Sequence, residues 1–269
     1  MIHPLGLLTL VAVALSVCMA QAETICTVVA DAGSEKILLQ RGDCSTRVTP
    51  ASTFKIAASL MGFDSGFPED EHSPTLAFHD GDPDWGGPPW RGPTDPTRWI
   101  KYSVVWFTQR VMHALGQARV EHYAQAFHFG NADISGDPEK HNGLDRAWIS
   151  SSLKISPLEQ VVFLERLVNR QLPVSGRAFD MTGRITETAR LAGGWDVHGK
   201  TGAAYPRDRE GNLDQAHGYG WFMGWATKRD RTLVFARLVQ DEHPEPVSPG
   251  LRARDAFLNE FPALANSLH

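Results

Sequence analysis

Cysteine is scarce: three among 269 residues, none in a C-x-x-C pair, so neither a disulfide scaffold nor a structural zinc site is expected. No charge of one sign dominates. Lys and Arg number 26 against 31 Asp and Glu, a net charge of −5, which gives no electrostatic reason to expect nucleic acid. There is no G-x-S-x-G elbow, which counts against an α/β-hydrolase. There is no H-x-x-x-H pair either, and His72 and His79, set among acids, fit no helical metal-ligand spacing, so no metal is expected. Repeats and low-complexity tracts are absent, and the one long apolar run, residues 6–20, is too short for a comfortable membrane span. What is present is a globular composition, 42% hydrophobic and 21% charged, enough for one or two domains with a full core.

The run GLLTLVAVALSVCMA and the small-x-small triplet Ala20-Gln21-Ala22 read as a secretory signal peptide over residues 1–22, cleaved before Glu23. Val17 is bulkier than the residue expected before a lipidated Cys18, so no stable membrane association is expected after cleavage. Cys26 and Cys44 would then enter an oxidising compartment, the periplasm. CTVVADAGSEKILL reads as a hairpin that brings both to the same end. A bridge between them would contribute about 3 kcal/mol, provided their Cα atoms lie within about 7 Å.

Further along, TPASTFKIAASLMGF reads as a buried helix capped by Thr49 with Pro50 in its first turn. Residues 64–98, rich in Gly, Pro and Asp, read as a long loop bordering a site. WIKYSVVWFTQRVMHAL and QARVEHYAQAF carry helical periodicity. SPLEQVVFLERLVNRQ is a helix capped by Ser156, with Pro157 first and Glu159 in the capping-box position. WDVHGKTG, YGWFMGWAT and TLVFARLVQ read as strands, and RARDAFLNEFPAL as a closing helix. Strands, helices, strands and a helix in that order predict an α+β fold. Residues 23–269 are expected to form one domain, with a helical subdomain over roughly 64–190 inserted between the sheet parts.

Four short motifs carry candidate chemistry. In Ser52-Thr53-Phe54-Lys55 the hydroxyl and amine are three residues apart on one helix face, and a hydroxyl needs such a base to become a nucleophile. Taken alone, S-x-x-K arises by chance about once in a chain this long. Lys200-Thr201-Gly202, at a strand end, offers a charge and a hydroxyl for a substrate carboxylate. Ser103-Val104-Val105 lies near the start of the first middle helix, and Phe129-Gly130-Asn131 at a break after it.

Together, PASTFK, SVV, FGN, WISSSLKIS, KTG and GWFMGW, in this order over the mature chain, resemble the class D β-lactamases, the oxacillinase family. S-V-V in the middle position separates this pattern from the S-D-N of class A enzymes and penicillin-binding proteins. The resemblance implies an antiparallel sheet flanked by terminal helices plus a helical subdomain, the penicillin-recognising fold. It implies a Ser52 nucleophile and a Lys55 carboxylated by carbon dioxide or bicarbonate, with no other cofactor. An apolar pocket of Val105, Trp148 and Phe54 would hold that lysine neutral. Trp148 would donate its indole N–H to the carbamate, and Ser103 would pass a proton to the lactam nitrogen. Backbone N–H groups of Ser52 and Ala203 would form the oxyanion hole. Lys200, Thr201 and an arginine, Arg252 by the best match and otherwise Arg254, would hold the substrate carboxylate beside Gly202. The expected partner is a small β-lactam. Two alternatives share these motifs: a β-lactam sensor that acylates without turnover, and a penicillin-binding protein. Sensor domains of that kind follow several membrane spans, whereas this sequence offers one short apolar run. Substrate spectrum and oligomeric state are not legible.

Overall fold

The computed structural model describes residues 23–186 and 188–268. The signal peptide expected over 1–22, with Cys18, falls outside the described residues. A hairpin of β1 (Glu23–Asp31) and β2 (Lys36–Gly42) opens the fold. Its turn is built by Asp31, whose carboxylate accepts from the backbone N–H groups of Gly33 and Ser34. A single 3₁₀ turn (Ala51–Thr53) then leads into α1 (Phe54–Ser65). The helical half follows as α2 (Pro96–Lys101), α3 (Val105–Leu115), α4 (Gln117–Ala126), the short α5 (Gly143–Arg146), α6 (Pro157–Val168) and α7 (Gly176–Ile185). Then come β3 (Thr188–Leu191), β4 (Trp195–Ala204), β5 (Tyr219–Lys228), β6 (Arg231–Gln240) and α8 (Pro249–Ser267).

The six strands form one antiparallel sheet in the order β2-β1-β6-β5-β4-β3. Successive side chains along a strand point to opposite faces, and the core divides accordingly. Val29, Val197, Phe222 and Phe235 face α8 and meet Phe257 and Phe261. Val28, Trp221, Met223 and Leu238 face the helical half and meet Phe54, Trp148 and the helices around them. The expected α+β architecture is the one observed.

Local details depart from the sequence reading in three places. Thr49 does not cap α1: that helix starts at Phe54, with no side-chain cap, and the Thr49 hydroxyl instead donates to the Trp148 carbonyl at 2.9 Å. The apolar run from Trp99 to Leu115 is two helices, because Ser103 takes φ 59°, a left-handed backbone that interrupts helical bonding. The segment 172–194, assigned no element from sequence, contains α7 and β3. The Ser156 and Glu159 capping box at α6 is present as expected.

Cys26 and Cys44 are bridged, with Cα atoms 5.0 Å apart. Register explains the proximity, since Cys26 pairs with Gly42 across the hairpin. The bridge ties β1 to the segment that runs into the Ser52 turn.

Candidate active site

The Ser52 turn is held from both ends. On the N-terminal side, the Thr49 carbonyl accepts from the Trp221 indole at 2.9 Å, and the Thr49 hydroxyl accepts from the Ser150 N–H at 3.0 Å. On the C-terminal side, the Thr53 hydroxyl donates to the Pro50 carbonyl at 2.7 Å and accepts from Gln160 at 2.8 Å. Between them Ala51 takes φ 51°, a backbone conformation that an alanine adopts only where its surroundings impose it. The result is a Ser52 side chain presented at the start of α1, where free N–H groups favour developing negative charge.

Lys55 sits one turn on, and its amine donates to Ser52 Oγ at 3.1 Å. The side chain is fully buried. Burial pushes its pKa well below the ordinary lysine range, and the nearby charge of Lys200 pushes it the same way. Phe54 stacks on Trp148, ring centres 5.3 Å apart, and meets Phe129 edge-on at 5.7 Å, so an aromatic wall lines this region. Val105 is also buried. The Trp148 indole N–H and the Ser103 hydroxyl are both buried without a hydrogen-bond partner among the described residues. Buried donors are normally satisfied. An indole N–H can only donate, so an acceptor is what would satisfy it.

Strand β4 brings the Lys200-Thr201-Gly202 triplet to the same turn. A Cβ on Gly202 would lie 2.9 Å from the Pro50 carbonyl, so only glycine permits this approach. Its cross-strand partner is Trp221, the residue that holds Thr49. Lys200 is buried, and its amine donates to the Thr201 carbonyl at 3.0 Å. His198, two residues earlier on the same face, stacks on Trp225 with centres 4.9 Å apart, and burial pushes its pKa down. Ala203 is exposed at the strand's end.

The two candidate arginines part company. A Cβ on Gly250 would lie 2.4 Å from the Gly202 carbonyl, so the first turn of α8 abuts the triplet. Arg252 extends from that turn to the Val247 carbonyl at 3.0 Å and to the buried carboxylate of Asp241. Arg254, about 200° further round the helix, lines a separate cavity behind the sheet. Lys55 thus meets Ser52, the Lys200-Thr201-Gly202-Ala203 stretch meets the turn through Gly202, Trp148 packs on Phe54, and the first turn of α8, which carries Arg252, abuts Gly202. Ser103 and Val105 sit where α3 begins, and α3 packs against α1.

Sequence reading assigned no role to the residues that fix this geometry: Ser150 and Trp221 appear only inside the motifs WISSSLKIS and GWFMGW, and Gln160 and Asp241 in none of the motifs. Ser150 takes φ 52°, and its hydroxyl donates to the Tyr205 carbonyl at 2.6 Å, joining the Trp148 segment to the loop after β4. The motifs were the signal for Ser150 and Trp221, and Gln160 follows the capping-box Glu159, whereas nothing marks Asp241. A cavity of about 920 Å³ opens on the outer side of Ser150 and is lined by none of Ser52, Lys55, Ser103 or Lys200. Among the described residues no group of three or more His, Cys, Asp or Glu could hold a metal ion.

Residues 25–262 match the penicillin binding protein transpeptidase domain family. The chain is 42% identical over 254 residues to Beta-lactamase OXA-9 of Klebsiella pneumoniae, covering 93% of this chain and 91% of that protein. It is 37% identical over 232 residues to Beta-lactamase OXA-1 of Escherichia coli, covering 85% and 80% respectively. The solved structure of OXA-427, a class D β-lactamase, superposes with a TM-score of 0.85 at 45% identity, covering 91% of this chain and 99% of that one.

Proposed function

The chain belongs to the class D β-lactamases, and from that premise we propose that it hydrolyses β-lactams through an acyl-enzyme on Ser52, with a carboxylated Lys55 as the base. The observation that carries this reading is the fully buried Lys55 amine, 3.1 Å from Ser52 Oγ; the buried, unpartnered indole N–H of Trp148, whose ring stacks on Phe54, supports it.

A buried lysine with a lowered pKa exposes a neutral amine, which adds to carbon dioxide to give a carbamate and one proton. The carbamate is an anion that Trp148 can stabilise by donation and Lys200 by charge. It takes the Ser52 proton as Oγ attacks the lactam carbonyl, and the N–H groups of Ser52 and Ala203 stabilise the oxyanion. The carbonyl-to-nitrogen bond then breaks, the nitrogen receives a proton through Ser103, and an ester remains on Ser52. In the second half the carbamate takes a proton from water, hydroxide attacks the ester, and Ser52 Oγ leaves with a proton returned to it. Lys200, Thr201 and Arg252 hold the substrate carboxylate throughout, Arg252 being aimed by Asp241. Residues 1–22 direct export to the periplasm, and residues 23–269 act as a single domain.

Acyl-enzyme trapping separates this reading from a sensor or a penicillin-binding protein. A Ser52 adduct that forms and clears within repeated turnovers is expected. A stoichiometric adduct that persists would contradict hydrolysis.

A further inference from the structure

We propose that the cavity behind β4 is a second ligand site, one that takes a small organic anion with an apolar body, such as a medium-chain fatty acid. Its volume is about 580 Å³, within the range of small-molecule sites. Its position is distinct from the Ser52 cleft. Val197 and Gly199 of β4 line it, and side chains alternate along a strand, so Lys200 stands on the opposite face.

Charge and floor together define the ligand. Lys101 comes from the end of α2, Arg184 from α7 and Arg254 from α8, so cations from the helical half and the sheet half converge on one rim. Asp255 is the one acid among the described lining residues, and it pairs with Arg254 at 2.8 Å. Arg184 reaches Glu71 at 3.4 Å, outside the lining. Lys101 makes no ion pair among the described residues, its ammonium lying 5.4 Å from the Tyr102 ring centre. With Arg254 and Arg184 each sharing a carboxylate, Lys101 is the cation left to draw an anion to the rim, and the two arginines can add donors to it. Below the rim, Val197, Phe222 and Ile185 form a buried apolar floor with Leu258 beside it. An inorganic anion would engage the rim alone, whereas an alkyl chain would also cover the half-buried Leu258 at the edge of that floor. Arg254 then has a role of its own, separate from that of Arg252.

The test is calorimetric titration of the mature chain with octanoate, beside inorganic phosphate and 1-octanol. Octanoate is expected to saturate one site per chain, to raise the melting temperature, and to bind about tenfold or more tighter than either control. Lys101→Glu and Arg254→Glu are each expected to weaken it about tenfold or more. Lys101→Ala, which adds no new charge, is expected to weaken it in the same direction and serves if a reversal fails to fold. Arg252→Ala is expected to leave octanoate affinity unchanged. No saturable binding, affinity indifferent to Lys101 and Arg254, or binding lost with Arg252→Ala would each overturn the proposal, the last by placing the anion in the substrate cleft. Phosphate binding as tightly as octanoate would overturn the apolar body.

Discussion

A lysine with no exposure to solvent, beside a second buried lysine, must shed its charge or be neutralised. For Lys55 burial favours the former, and the sign of the consequence follows from linkage. Burial and then Lys200 lower its folded pKa, so between that value and the ordinary lysine range the unfolded chain binds more protons than the folded one. Stability from this group therefore rises with pH across the window and is lost as pH falls through the folded pKa. In bicarbonate-free buffer, Lys55→Met should be more stable than the parent, by a margin that widens as pH falls, while showing no turnover. Chemical denaturation at several pH values reads this, and a margin independent of pH would contradict it. Trp148→Phe keeps the ring that stacks on Phe54 and removes the N–H alone. It should slow deacylation by about tenfold or more, the worth of a hydrogen bond to a charged group, and slow acylation less. An unchanged acyl-enzyme lifetime would remove the indole from the account. Val105→Asp should place an acid in the lysine's pocket, favour the ammonium and abolish the response of turnover to bicarbonate.

Among the elements, α6 matters beyond its own stability. Its capping box fixes the helix that carries Gln160 to Thr53. Ser156→Ala should cost about 1 kcal/mol, read as a lower melting temperature. Gln160→Leu should lower kcat/KM for acylation as well as stability, because it frees one end of the Ser52 turn. A variant with stability lost and acylation intact would show that the turn is held without it. How much of this was legible depended on whether the signal was local. The α6 cap was legible because Ser156, Pro157 and Glu159 are adjacent in sequence. The break at Ser103 was not, because Val104, Val105 and Trp106 continue the apolar pattern and no Gly or Pro marks the left-handed residue. Thr49 read as a cap because Pro50 follows it, yet long-range bonds from Trp221 and Ser150 decide its place. The motifs were legible as a set and led to the family, whereas Asp241, which holds Arg252, lies in a stretch with no pattern.

Across the whole molecule, one sheet with two apolar faces carries α8 on one side and the helical half on the other, and the candidate site lies where the start of α1 meets β4. The bridge between Cys26 and Cys44, 18 residues apart, fastens the first hairpin to the chain entering the site. Replacing both by alanine should cost about 2–4 kcal/mol, measured by denaturant unfolding, with Ser52 still acylated by substrate. A loss below about 0.5 kcal/mol would show that the packing around these buried sites suffices without the bridge.

The most direct test of the central claim is steady-state turnover of a chromogenic β-lactam by the mature chain, with and without added bicarbonate. Repeated turnover that increases with bicarbonate, and is lost in Ser52→Ala and Lys55→Met, is the predicted result. A single stoichiometric burst, or turnover indifferent to bicarbonate, would contradict a carboxylated Lys55 acting beside Ser52.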